Sequence, residues 1–214
     1  MSESSIQELF GSIDIYLFDQ LLKSRLVPGM RMLDAGCGTG RNLVYFLQKG
    51  YSVFGVDQSA EAISKVRHLA ATLAPHLPPE NFRVEPVEKM SWESASEIND
   101  PHDRHGFDVV ICSALLHFAR DEAHWHAMAN EMWRVLKIGG IFFARLASTI
   151  GMEQHVDLIE GRRYHLPDGS DRFLVDEAML RYVTTSLGGE LIEPIKTTIV
   201  ENLRAMTTWV VIKR

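Results

Sequence analysis

Cysteine is scarce in this chain, with two among 214 residues. Cys37 and Cys112 each fall in or beside an apolar run and form no spaced framework. That argues against a structural disulfide and makes small buried filler their expected role, with a reactive thiol the competing reading. Long apolar runs are missing too: none reaches the ~20 residues that a membrane-spanning helix needs. The opening residues, MSESSIQELF, contain no basic stretch followed by an apolar one. No secretory leader is therefore expected, and a reducing, cytoplasmic setting is. Basic residues are outnumbered, 22 Lys and Arg against 28 Asp and Glu, for a net charge of −6. This balance weighs against a dedicated nucleic-acid binder, although a local basic patch is compatible with it. Repeats and low-complexity tracts are absent as well. What remains, 46% hydrophobic and 23% charged residues, is the composition of one globular domain able to bury a full core.

Apolar runs bounded by turn residues alternate with segments of helical period, which predicts a mostly parallel sheet covered on both faces. Residues 5–24 carry Ile6, Leu9, Phe10, Ile13, Leu17 and Leu21 at helical spacing. A strand follows over 30–35, then a glycine loop and a helix stopped by Gly50. Tyr51 to Asp57 reads as a second strand, and Ser59 caps a helix that buries Ile63, Val66, Ala70 and Leu73. A third strand is expected over 82–87, with Pro86 at its end. Residues 88–106 are polar and irregular. Phe107 to Cys112 is the most continuous apolar strand. Asp121 caps a helix with Trp125, Met128, Ala129, Met132, Val135 and Leu136 on one stripe, read as packing against the sheet. Gly139 and Gly140 turn the chain into a fifth strand, residues 141–146. Residues 148–173 are less regular. Asp176 caps a last helix, and two late strands, near 190–200 and 206–213, suit an antiparallel hairpin.

The stretch Leu33 to Asn42, LDAGCGTGRN, joins the first strand to its helix. In a dinucleotide-binding loop the third glycine comes one residue later, where Arg41 stands here. No Gly-Lys-Ser/Thr follows, so a Walker-type phosphate loop is excluded. The acid Asp34 at the mouth also repels phosphate, by about 4 kcal/mol per charge pair at 4 Å and an effective dielectric near 20. A cationic ligand without phosphate suits the same loop. Asp57, at the end of the second strand, stands where a carboxylate accepts hydrogen bonds from ribose hydroxyls.

These pieces resemble the class I S-adenosylmethionine-dependent methyltransferases. The resemblance rests on LDAGCGTGRN, VFGVDQS, FDVVICSALLHF and RVLKIGGIFFARL, in that order, over about residues 29–147. It implies an α/β, Rossmann-like doubly wound sheet of seven strands in the order 3-2-1-4-5-7-6, strand seven antiparallel. It implies one methyltransferase domain over 1–214, with residues 1–28 as an N-terminal helical lid and 148–173 as an acceptor-binding insertion. Asp34, Gly36, Cys37, Gly38 and Gly40 are then expected around the methionine end of S-adenosylmethionine, Asp57 at the ribose, and Gln58 beside the adenine. Ser113 is expected near the methionyl and ribose portion. The family's usual adenine-gripping acid after strand three is replaced by Pro86, which leaves Val87 to offer backbone contacts and Glu88 as the substitute acid. The chain is also loosely similar to small-molecule methyltransferases of the tellurite-resistance and thiopurine type.

Methyl transfer by in-line displacement needs a base only if the acceptor must lose a proton. His117, just past the fourth strand, is the candidate; a packing role is the competing reading. Tyr16, Arg145, His155, Tyr164 and Arg204 are the candidate acceptor contacts, in a basic, aromatic region that either suits an anionic small molecule or is ordinary surface charge. Asp100, His102, Asp103 and His105 match no strong metal spacing, and no metal is expected. A small-molecule acceptor, no membrane, and a monomer or homodimer complete the expectation. Two alternatives stay open: a protein or nucleic-acid methyltransferase, and a non-catalytic S-adenosylmethionine-binding sensor or scaffold.

Overall fold

The computed structural model describes residues 5–95 and 105–214. Ser5 and Glu8 form a reciprocal capping box that starts α1 (Ile6–Phe10). Gly11, at φ 59°, ends it, and the Asp14 side chain accepts from the Tyr16 N–H to start α2 (Ile15–Leu22). The single helix expected over 5–24 is therefore two, divided where glycine reverses the chain.

The alternation then runs β1 (Arg31–Ala35), α3 (Val44–Gln48), β2 (Ser52–Asp57), α4 (Ala60–Leu73), β3 (Phe82–Val84), β4 (Phe107–Ser113), α5 (Glu122–Val135) and β5 (Leu136–Ser148). Ser59 and Asp121 cap α4 and α5 as expected. The third strand is shorter than expected. Pro86 lacks an N–H, so after the Glu85 N–H reaches the Asp57 carbonyl at 3.1 Å the chain leaves the ladder for a 3₁₀ turn over Val87–Lys89. The fifth strand begins earlier, at Leu136. Its register against β4 shifts between Phe107 and Val109, at the level where Gly139 takes a φ of 79°.

Residues 148–173 are more regular than their sequence suggests. They hold a separate three-stranded antiparallel sheet of β6 (Asp157–Glu160), β7 (Arg163–His165) and β8 (Asp171–Phe173). After α6 (Glu177–Ser186), the strand expected near 190–200 is two, β9 (Gly189–Leu191) and β10 (Lys196–Val200), both antiparallel to β11 (Arg204–Lys213). Pro194, which cannot donate to a ladder, lies between them.

The main sheet runs β10-β11-β5-β4-β1-β2-β3. β1 to β5 pair in parallel and β11 pairs antiparallel with β5. Counting β10 and β11 as strands six and seven, this is the order 3-2-1-4-5-7-6. One face is covered by α5 and α6 through Trp125, Met128, Met132, Leu180 and Val183, the other by α2, α3 and α4 through Leu17, Phe46, Ile63 and Val66. Burial on both faces explains the near-continuous apolar runs of β4 and β5. Asp100, His102 and Asp103 lie outside the described residues; His105 Nδ1 lies 2.8 Å from Glu93. Among the described residues, no helix is long and apolar enough to cross a membrane.

Trp209 on β11 is fully buried, stacks near Trp125 at 6.2 Å between ring centres and donates its indole N–H to Thr184 Oγ1 at 2.9 Å. Trp209→Ala is expected to lower unfolding free energy by about 3–5 kcal/mol in urea denaturation, and Thr184→Val by about 1 kcal/mol. A loss below ~1 kcal/mol for the tryptophan would contradict this packing.

Candidate active site

In an open parallel sheet, ligand sites form outside the carboxyl ends of the strands, where neighbouring connections leave for opposite faces. Here that point lies between β1 and β4. The loop after β1 is tied to the end of β2, because the Gly36 and Cys37 N–H groups both donate to the Val56 carbonyl, at 2.8 and 3.0 Å. Gly36 has a φ of 73°, and a Cβ there would meet the Leu115 side chain at 2.9 Å. Gly38 has a φ of 53°, the left-handed region that favours glycine, and its N–H is turned to the Asp57 carboxylate.

Asp57 is held in place by that backbone. Its Oδ2 accepts from the Gly38 N–H at 3.0 Å and its Oδ1 from the Ser59 N–H at 2.8 Å. An ionised carboxylate offers about four acceptor positions, so capacity remains for a ligand's hydroxyls. Asp34 differs sharply. It is 2% exposed, and its Oδ2 is buried without a hydrogen-bond partner. Burial pushes its carboxyl up to about 7, with Asp57 adding to the rise and Arg41 opposing it. An orphaned acid of this kind is satisfied by a cationic or hydrogen-bond-donating ligand. The Cys37 and Cys112 thiols are free and buried, and burial raises both well above the ordinary thiol range. They are unreactive filler.

Two cavities meet at this edge. One, of about 480 Å³, is lined by Gly36, Asp57, Gln58, Pro86, Val87 and Glu88 on one side and Ala114, Leu115, Phe118, Arg120, His124 and Met128 on the other. The second, of about 370 Å³, is lined by Asp14, Arg41, Ser113, Ala114, His117, Arg145, Asp168, Arg172 and Arg204, with Ala147, Leu166, Ser170 and Met206. Ala114 belongs to both and has a φ of 63°. For a residue with a Cβ that left-handed backbone costs of order 1 kcal/mol and marks a point held by its surroundings. Its N–H is fixed by the Arg145 carbonyl at 2.8 Å.

His117 is 7% exposed and its Nδ1 accepts from the Ala147 N–H at 3.3 Å. The ring proton of the neutral form therefore sits on Nε2. Burial first, then Arg172 and Arg204, push its pKa down to about 4. At neutral pH the ring is uncharged, with Nε2 a donor. The low pKa makes the ring a weak base, and its one lone-pair nitrogen, Nδ1, is taken by the Ala147 N–H.

Arg145 is braced from behind. Its guanidinium lies 3.3 Å from Asp14 Oδ1 and 4.8 Å from the Tyr16 ring centre, and the Tyr16 hydroxyl bonds Thr198 at 2.7 Å. The Asp14 N–H donates in turn to Asn42 Oδ1 at 3.0 Å, linking α2 to the glycine loop. Arg41 donates to Ser113 Oγ at 2.9 Å. Arg204 lies 3.7 Å from Asp168, and Arg172 lies over the Phe118 ring at 4.8 Å.

Of the residues singled out in the sequence, Gly36, Asp57, Gln58, Val87 and Glu88 line the larger cavity, and Ser113, His117, Arg145 and Arg204 the smaller. Asp34, Cys37 and Gly40 lie beneath them as buried parts of the strand and loop. Tyr16 stands behind Arg145 rather than on the cavity wall. Tyr164 packs against the small cluster of Ala147, Leu166 and Leu174, and His155 is exposed on a turn, so neither reaches the cavity. Sequence reasoning passed over Asp14, Asp168, Arg172, Phe118 and Arg120. For Arg172 a signal existed, since it follows the Asp168-Gly169 turn within the basic region, but the hairpin that turns it inward did not register as strands.

The model of the methyltransferase domain family matches residues 33–144, more than half of the chain. A ubiquinone biosynthesis O-methyltransferase of Paracidovorax citrulli is 31% identical over 56% of this chain and 45% of its own length. A tRNA 5-carboxymethoxyuridine methyltransferase of Escherichia coli is 23% identical over 64% of this chain and 48% of its own. The chain thus spans about half the length of these curated relatives. Among solved structures, magnesium protoporphyrin IX methyltransferase from Synechocystis, with S-adenosylmethionine bound, shares the fold at a TM-score of 0.66, with 16% identity over 94% of this chain and 77% of that one. With the sheet order, the glycine loop and the family match in agreement, this chain belongs to the methyltransferase domain family, of the class I S-adenosylmethionine-dependent type that its motifs resemble.

Proposed function

We propose that the chain is an S-adenosylmethionine-dependent methyltransferase acting on a small-molecule acceptor. The observation that carries this reading is the meeting of two cavities at Ala114, one lined by the glycine loop and Asp57, the other by polar groups from the far side of the sheet. The larger takes the cofactor: Asp57 the ribose hydroxyls, Gln58, Val87 and Glu88 the adenine, and Gly36, Gly38 and Gly40 the methionine portion above Asp34. Asp34 supplies the negative charge that a ligand with an ammonium and a sulfonium requires. When bound, S-adenosylmethionine supplies a methyl group already activated by its positive sulfur.

The smaller cavity takes the acceptor. What the chain contributes there is alignment, since orientation alone is worth several kcal/mol of barrier. Arg145, held by Asp14 and Tyr16, and Ser113, held by Arg41, form its floor. His117 acts through its Nε2–H as a fixed donor that orients the acceptor. The N-terminal segment through Asp14 and the β6–β8 sheet through Leu166 to Arg172 wall it on two sides, as a lid and an acceptor-binding insertion. The net charge of −6 supports a small acceptor over an extended nucleic acid, and a cytoplasmic setting accords with the two free thiols. Labelled cofactor incubated with small-molecule and RNA fractions of an extract separates the readings. Transfer to the small-molecule fraction is expected; label in RNA alone would contradict it, and tight binding with no transfer anywhere would favour a sensor.

Calorimetry is expected to give micromolar-range binding of S-adenosylmethionine or S-adenosylhomocysteine, weakened at least about ten-fold by Asp57→Ala, the loss of one charged hydrogen-bonding group. Unchanged affinity would remove Asp57 from the site. Burial raises the Asp34 carboxyl in the folded protein from the ordinary carboxylate range to about 7. Its ionisation therefore costs the ligand-free fold nothing below about pH 4 and a growing penalty as pH rises to 7. Asp34→Asn is expected to stabilise the ligand-free protein clearly more at pH 8 than at pH 5, while weakening cofactor binding. Equal melting shifts at both pH values would refute that linkage. The wild-type kcat/KM is expected to stay flat between pH 6 and 8, and His117→Ala to lose acceptor affinity; a wild-type rate that rises with a pKa near 6.5 and loses that rise in His117→Ala would restore the base.

A further inference from the structure

Four arginines, Arg41, Arg145, Arg172 and Arg204, face the smaller cavity with two aspartates, Asp14 and Asp168. Four positive against two negative charges leave +2 around about 370 Å³. The two aspartates are already spoken for. Asp14 is paired with Arg145 at 3.3 Å and Asp168 with Arg204 at 3.7 Å. Arg41 and Arg172 stand in no ion pair within 4 Å among the described residues; Arg41 donates to the Ser113 hydroxyl and acts at longer range on Asp34, and Arg172 lies over the Phe118 ring, donates to the Asp171 carbonyl and acts at longer range on Asp168.

The ring of His117 lies in the same wall, held neutral first by its burial and then by Arg172 and Arg204. Its Nε2–H, the Ser113 hydroxyl and the unpaired guanidiniums are all donors on one cavity. The arginines come from four separate places: the loop after β1, β5, β8 and the start of β11. Solvated surface charge has no reason to converge in this way on a concave site beside the cofactor cavity.

We infer that the smaller cavity recognises its ligand through an oxyanion, so that the acceptor is a small molecule bearing a carboxylate or a phosphate monoester. The inference rests on the methyltransferase reading for calling that ligand the acceptor, and on the cavity alone for its charge. Guanidinium forks match the planar geometry of a carboxylate and the oxygens of a phosphate, and each charge-assisted bond is about twice as strong as a neutral one. Arg172 and Arg204 are the specificity-determining pair, because they lie on the acceptor side and touch no residue of the larger cavity except Phe118. Arg145, braced by Asp14 and Tyr16, is the rigid third donor.

The test uses the full-length chain saturated with S-adenosylhomocysteine and titrated with benzoate, phenyl phosphate and the neutral isostere benzamide, by calorimetry or NMR shifts in low-chloride buffer. At least one anion is expected to bind about ten-fold or more tightly than benzamide, and the winner tells carboxylate from phosphate. An Arg172→Gln/Arg204→Gln double variant should lose about ten-fold of the anion affinity and keep its S-adenosylhomocysteine affinity within about two-fold, with Arg172→Lys/Arg204→Lys in between. If the glutamine variant does not fold, the wild type decides, since raising chloride about ten-fold must weaken the anion and leave benzamide unchanged. Benzamide binding as well as both anions, or no anion binding at all, overturns the inference. Failure of S-adenosylhomocysteine to bind overturns the cofactor reading instead, and the same titrations without it still decide the charge preference.

Discussion

A carboxylate buried in the end of an apolar sheet is the constraint around which this structure is arranged. Asp34 sits between β2 and β4, paired in register with Gly55 and Ile111, where the interior is otherwise hydrophobic. Leaving one of its oxygens unpartnered is costly, and proteins rarely retain such a group without a use. The neighbouring features accommodate it. Glycines keep the loop open above it, Arg41 opposes the rise in its pKa, and Asp57, which adds to that rise, is itself engaged by the Gly38 and Ser59 N–H groups. A phosphate would compound the repulsion, and a cationic methionine moiety relieves it.

Around that carboxylate the fold divides labour between its two edges. The β1–β2–β3 side, built of local β-α-β units, gives one wall of the larger cavity, and the segment after β4 with α5 gives the other. The β5–β11–β10 side, with α2 and the β6–β8 sheet folded over it, forms the smaller cavity from residues distant in sequence. Ala114 is the hinge point between them, held in left-handed backbone by the Arg145 carbonyl. That mildly strained residue stands where the two cavities adjoin.

This division explains what was legible in the sequence. The glycine loop, Asp57 and the 3-2-1-4-5-7-6 order follow from spacing, strand-end acids and an alternation of elements, all local signals. Gln58, Val87 and Glu88 follow from position after known strand ends. The smaller cavity is less legible because its residues converge only through tertiary packing. His155 and Tyr164 lie within the right segment, yet the hairpin formed by β7 and β8 turns Arg172 inward and leaves those two outside the cavity. The Tyr16 ring lies beneath the Arg145 guanidinium and is not part of the cavity wall, a layering that sequence spacing does not reveal. The helix over 5–24 and the strand over 190–200 were each read as one element because hydrophobic period is blind to a reversal at Gly11 or an interruption at Pro194.

The pKa of Asp34 itself tests this account most directly. It can be followed by carboxyl carbon NMR in the free protein and with S-adenosylmethionine bound. Without ligand the carboxyl is expected to titrate near 7. With ligand it should fall below about 5, as an opposite charge within hydrogen-bonding range favours the ionised form. A pKa that stays near 7 in the complex, or that starts at an ordinary value in the free protein, would contradict the claim that this buried acid exists to meet a cation.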